Sequence, residues 1–174
     1  MSDDCCGVGK AGSSVCELPA AQPRAEREGL PCPECGQAGK PVEGQTVRAL
    51  VAVSLREVPQ GDYLFCRTRD CPVVYFGEKR QAVFVKAQVR ERVYQKEPDS
   101  PDVWICYCFR HSVGEVTVGR REERDRIVAH ISAGIKADEC ACDLRNPQGS
   151  CCLGNVNARI KQVAGELSPA SPAP

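Results

Sequence analysis

Cysteines come in close pairs along this chain, and that pattern limits its folds more than any other feature. Cys32 and Cys35 are spaced Cys-x2-Cys, Cys66 and Cys71 Cys-x4-Cys, and Cys106 and Cys108 Cys-x-Cys, while Cys140, Cys142, Cys151 and Cys152 crowd one loop. With Cys5, Cys6 and Cys16 they make 13 cysteines in 174 residues. Aromatic residues are only 5% of the chain and Trp occurs once, so a rich single apolar core is not available. Small domains with thin cores rely on metals or disulfides. The count is odd, and the opening Met1-Ser2-Asp3-Asp4-Cys5-Cys6-Gly7 is acidic, with no apolar leader. The expectation is therefore a cytoplasmic chain whose thiols bind metal. No apolar run approaches the ~18 residues of a membrane span, so no membrane insertion is expected.

Lys plus Arg and Asp plus Glu both total 23, for a formal net charge of zero. A broad phosphate-binding surface needs a basic excess, so nucleic acid is not an expected partner. Arg67 and Arg69, beside a cysteine turn, are the best support for a zinc-ribbon binding module without a redox role. Nothing resembles a conventional catalytic constellation, and the chain reads as a non-enzyme in which a metal-reducing activity remains open. Cys5 or Cys16 as a nucleophile lacks a positioned base.

Residues 1–30 are rich in Gly, Ser, Ala and charge and read as a flexible tail. Its Cys5, Cys6 and Cys16 are either a mobile soft-metal set or spare thiols. Residues 31–97 read as a β-rich domain. Pro31-Cys32-Pro33-Glu34-Cys35-Gly36 is a metal knuckle, residues 46–53 a strand or short helix, and residues 62–66 and 73–76 strands. Residues 82–85 and 89–94 add two short strands, the second by alternation of apolar and charged residues. Two cysteine pairs on turns about thirty residues apart suit one tetrahedral four-thiolate zinc, held by Cys32, Cys35, Cys66 and Cys71. Tyr75 and Phe76 read as core. The proline-containing stretch 97–102 marks a domain boundary.

Residues 103–167 read as a helical domain, and 168–174 as a disordered tail. Ser112 and Glu115 form a capping box just after Cys106-Tyr107-Cys108. A helix start with free N–H groups suits an anionic thiolate–metal centre. Ile127, Val128, Ile131 and Ile135 form the stripe of a long helix that Gly134 weakens, and Leu153, Val156, Ile160, Val163 and Leu167 mark a last helix. Asn146-Pro147 and Gly149 demand a tight loop before it. Cys-x-Cys is too short for the usual zinc knuckle but can place two thiolates on one iron of a [2Fe–2S] cluster. Two further ligands must come from Cys140, Cys142, Cys151 and Cys152. His111 is within reach as an alternative or supporting ligand, yet a surface place on the first helix turn is the plainer reading, and His130 reads as solvated. The fold class is thus α+β: a small β-rich zinc domain followed by a small helical [2Fe–2S] domain.

Four motifs in order, Pro-Cys-Pro-Glu-Cys-Gly, Phe-Cys-Arg-Thr-Arg-Asp-Cys-Pro-Val-Val-Tyr-Phe, Cys-Tyr-Cys-Phe and Arg-Asn-Pro-Gln-Gly-Ser-Cys-Cys-Leu-Gly-Asn-Val, give residues 31–160 a resemblance. The stretch resembles the N-terminal domain of CopZ-type copper chaperones, with a helical half similar to bacterioferritin-associated ferredoxins. The resemblance implies zinc on Cys32, Cys35, Cys66 and Cys71 and a [2Fe–2S] cluster on Cys106 and Cys108. It implies one further ligand before Asn-Pro and one from the Cys-Cys pair, here Cys142 and Cys152, with Cys140 and Cys151 as alternates. It also implies one-electron transfer linked to copper or another soft metal, and a copper-handling or redox partner protein. The Met-x-Cys-x-x-Cys motif of the family's copper domain is absent, since Met1 is the sole methionine. Any Cu(I) would then sit on Cys5, Cys6 and Cys16, on spare cysteines, or on a partner. Surplus thiols also suit an iron–sulfur cluster carrier.

Overall fold

The computed structural model describes residues 29–79 and 81–167. Its first region is an antiparallel meander in the order β1 (Lys40–Val42), β2 (Tyr63–Phe65), β3 (Val73–Gly77) and β4 (Val83–Val85). Pro41 lies in the edge strand, where a missing N–H costs the sheet least. Every residue of β2 and β3 is buried, because both faces of the sheet are covered. Tyr63, Phe65, Val74 and Tyr75 join one core with Val47, Leu50 and Val51. Leu64, Val73 and Phe76 join a second with Cys32, Cys66 and Cys71. The register of β3 on β4 shifts between Val73 and Tyr75. An extra residue at such a shift breaks strict alternation, so Val74 and Tyr75 share one core while Val73 and Phe76 share the other.

Of residues 46–53, the first five lie in a helix, α1 (Gly44–Leu50), with Thr46, Val47 and Leu50 buried, and the chain is extended from Val51. The strand expected at residues 89–94 does not form. Val89 makes one isolated bridge to Val51, and the chain then turns. Val89 and Val93 are both buried in the first core, so the alternation located the inward side chains correctly. Arg92, however, bonds both Glu97 and Asp102, and these contacts accompany a chain that folds back instead of running on.

The second region opens with a short hairpin, not a helix: β5 (Trp104–Cys106) pairs with β6 (His111–Ser112). The turn between them holds Arg110 at φ 58, with its guanidinium 5.4 Å from the Trp104 ring centre. Helices α2 (Val113–Val118), α3 (Arg121–Lys136) and α5 (Leu153–Leu167) follow, with a single helical turn, α4 (Cys142–Arg145), inside the cysteine loop. The capping box forms as the sequence indicates: the Glu115 N–H donates to Ser112 Oγ at 3.1 Å, and the Ser112 N–H to Glu115 Oε2 at 2.6 Å. Ile105, Val113, Val116, Ile127, Ile131 and Val156 share a core with Cys106 and Cys152. Gly134 is explained by packing, since a Cβ there would overlap the ring of Phe109.

The two regions are tied together. Helix α1 packs on α4. The buried Tyr75 hydroxyl donates to the Pro147 carbonyl at 2.8 Å, and Lys40 Nζ to Ser150 Oγ at 2.7 Å. Within the first region, Lys96, only 4% exposed, donates to the Thr68 carbonyl at 2.8 Å. Among the described residues, no helix is long and apolar enough to cross a membrane.

Candidate metal centres

Cys32 and Cys35 lie on a turn closed by Gly36, whose φ of 71 is the left-handed conformation that glycine adopts without strain. The Gly36 N–H donates to the Cys32 carbonyl at 2.9 Å. Cys66 directly follows β2, and Cys71 ends a turn whose N–H donates to the Thr68 carbonyl. The sheet thereby delivers both pairs to one point. All four sulfurs lie within 4.8 Å of one another, with Cys32, Cys66 and Cys71 buried. Cys32 and Cys71 sulfurs are 3.9 Å apart, and those of Cys35 and Cys66 3.7 Å. Thiolates about 2.3 Å from a tetrahedral zinc stand about 3.8 Å from each other, so the residues fit a closed four-thiolate ion without rearrangement.

The electrostatics of this site are uneven. The Thr68 hydroxyl, 3.3 Å from the Cys35 sulfur, holds that thiol down at about 6. Burial pushes Cys71 up to about 12 and raises Cys32. Thiols that share protons in this way release them when a cation takes their place. Thr68 and Lys96 carried no sequence signal beyond their neighbourhood. Only the fold shows that the buried ammonium of Lys96 fastens the Cys66–Cys71 turn through the Thr68 carbonyl.

The second site gathers cysteines from three segments. Cys106 ends β5, Cys108 lies in the hairpin turn, Cys142 begins α4 and Cys152 immediately precedes α5. Cys108 and Cys142 sulfurs are 3.6 Å apart. Hydrogen bonds from Cys152 hold Cys106 down at about 7 and Cys142 at about 6. Those same bonds, with burial, raise Cys152 itself, while burial pushes Cys108 up to about 12. The close pairs therefore cross the loop, Cys108 to Cys142 and Cys106 to Cys152. Cys140 lies beside Cys142, whereas Cys151 is exposed. Cys5, Cys6 and Cys16 lie outside the described residues.

Backbone amides line this second pocket, but not the ones the capping box suggested. Amides of Phe109 and Cys108 bond the Cys106 sulfur, that of Ala141 bonds Cys108, and that of Cys152 bonds Cys142. The start of α2 is separated from Cys108 by the turn and by β6. The loop around the cysteines is held by Asn146, fully buried, whose Nδ2 donates to the Ser150 carbonyl at 2.8 Å. Its Oδ1 accepts the Gln148 N–H at 3.2 Å. Gln148 Nε2 in turn donates to the Cys151 carbonyl at 3.1 Å. Soft thiolates with amide donors to sulfur suit zinc or iron–sulfur centres. Arg69, one of the two arginines that favoured a zinc-ribbon binding module, pairs with Asp99 at 2.7 Å on the surface.

The sequence pattern of a family described as a CopZ-type zinc binding domain matches residues 30–90. Copper chaperone CopZ of Archaeoglobus fulgidus is 33% identical over 135 residues, a match covering 78% of this chain and 64% of that protein. The chain thus spans less than two thirds of the length of that relative. The X-ray structure of the N-terminal domain of the same CopZ superposes with a TM-score of 0.60 at 33% identity, covering 74% of this chain and 95% of that domain.

Proposed function

This chain belongs to the family of the CopZ N-terminal domain, and on that premise we propose that it is a metal-handling redox protein with one structural zinc and one [2Fe–2S] cluster. Zinc sits on Cys32, Cys35, Cys66 and Cys71, where its affinity is folding energy for the sheet. The cluster sits on Cys106, Cys108, Cys142 and Cys152. The observation that carries this reading is the approach of the Cys108 and Cys142 sulfurs to 3.6 Å, with the Cys152 thiol near enough to lower both Cys106 and Cys142. Cys140 and Cys151 are left as spare thiols, and the units read as residues 31–97 and 103–167.

When bound, such a cluster supplies one electron at a time, enough to convert Cu(II) to Cu(I). The chain contributes the rest. Amides of Cys108, Phe109, Ala141 and Cys152 donate to sulfur, which stabilises negative charge and tunes the potential. Ile105, Val113 and Val156 wall the pocket with apolar surface. A copper-handling protein is the natural partner, with copper as cargo and not as a resident cofactor. Quantitation of oxygen-protected protein tests the proposal: about two irons and two acid-labile sulfides and about one zinc per chain are expected. Two zincs with no sulfide would leave a zinc-only binding module in its place.

A further inference from the structure

The chain contains two histidines, and the fold brings them together. His111 is on β6 and His130 on α3. Nε2 of His111 is 2.8 Å from Nδ1 of His130, with the rings edge to face. His130 is open to solvent, as the sequence indicates, whereas His111 is half-buried rather than on the surface, and the two rings form one feature. Behind His111, its other nitrogen Nδ1 is 3.8 Å from Glu115 Oε2. Metal-binding imidazoles commonly turn their second nitrogen toward a carboxylate, which fixes the ring and raises its basicity. A 430 Å³ cleft lined in part by His111, Glu115, Glu123 and Arg126 opens beside the pair.

A separation of 2.8 Å is ordinary for an N–H···N hydrogen bond. It is also about the spacing of two cis nitrogens bound ~2.0 Å from a tetragonal ion. In the bonded pair the two nitrogens face each other, so a shared cation requires the exposed His130 ring to turn aside and admit the ion between them.

We propose that His111 and His130 form a metal site separate from both cysteine centres, taking one divalent cation of the copper(II) and nickel(II) class, with water completing its coordination. Two imidazoles and an open approach suit this class, whose tetragonal geometry needs few protein donors. Its location is informative. His111 is the cross-strand partner of Cys106, and the Phe109 ring centre lies 5.4 Å from that of His130. A divalent ion held here is one strand step from the second thiol pocket. Its meaning as an electron acceptor rests on the cluster reading above; its existence as a binding site does not.

Ni(II) is the probe, because thiols do not reduce it. Calorimetric titration of the full chain should include, beside any thiol sites, one Ni(II) site that weakens by more than about tenfold in His130→Ala and in His111→Ala. Glu115→Gln keeps a capping-box residue yet should weaken binding by about tenfold through loss of the carboxylate behind His111. Cysteine sites for Ni(II) are common to all these variants and cancel in the comparison. Paramagnetic broadening of both imidazole resonances at one equivalent is the matching spectroscopic result. An unchanged Ni(II) isotherm in His130→Ala, or broadening confined to cysteine neighbours, overturns the site. Iron content plays no part in this titration, so it and the cluster reading fail separately.

Discussion

The two cysteine centres are built on opposite plans. The first joins two local knuckles, Cys32/Cys35 and Cys66/Cys71, each held by a tight turn and brought together by one sheet. The second has one local pair, Cys106/Cys108, completed by Cys142 and Cys152 from a loop more than thirty residues later. Backbone amides approach the sulfurs at both, those of Glu34, Cys35, Gln37 and Val73 at the first and those of Cys108, Phe109, Ala141 and Cys152 at the second. In the first, a side chain also lies against a sulfur, the Thr68 hydroxyl 3.3 Å from that of Cys35. A closed ion needs only four thiolates at the right spacing, whereas a centre that changes charge needs donors that stabilise the added electron. Both centres have amide donors, so the contrast that remains is one of assembly: one sheet is enough to join two local knuckles, whereas the second set meets only when segments far apart in the chain pack together.

The sharpest way to break that contrast is Cys66→Ala. Metal-linked folding energy in small zinc domains is of order 10 kcal/mol, so the variant should lose its zinc and the near-ultraviolet dichroism of Tyr63 and Tyr75. A sheet that stays folded without zinc would remove the structural role. Next, Cys106→Ser should lose iron and visible absorbance while keeping its zinc, and Cys151→Ser should keep both; metal analysis of the two variants decides the ligand set. Smaller effects probe the framework around the second pocket. Gly134→Ala would gain up to ~1 kcal/mol in an open helix, but collision with Phe109 should reverse the sign, costing about 1–3 kcal/mol in denaturant unfolding. A stabilised variant would contradict that packing. Finally, Tyr75→Phe removes the bond to the Pro147 carbonyl and should cost about 1 kcal/mol. If the regions depend on one another, loss of this bond lowers both unfolding midpoints, read separately through tyrosine dichroism and visible colour.

Much of the framework was legible before any coordinates. The Ser112–Glu115 cap, the long helix carrying Ile127 and Ile131, the last helix with Val156 and Val163, and strands β2, β3 and β4 all follow from local signals. Residues 89–94 misled because alternation reports which side chains point inward, not whether a strand partner exists; among the described residues, pairing stops at the single bridge of Val89 to Val51. The start of α2 misled because a capping box marks where a helix begins but not where its amides lie relative to a distant sulfur.

Spacing and turn chemistry alone specified the knuckles, the caps and the apolar stripes, because these depend on residues within a few positions of one another. Which loop cysteines meet Cys106 and Cys108, the His111–His130 contact, and the clamp of Lys96 on Thr68 depend on chain segments tens of residues apart. Those meetings were decided by how β5, α3 and the Asn146 loop pack, since a side chain's reach across space has no counterpart in its distance along the sequence.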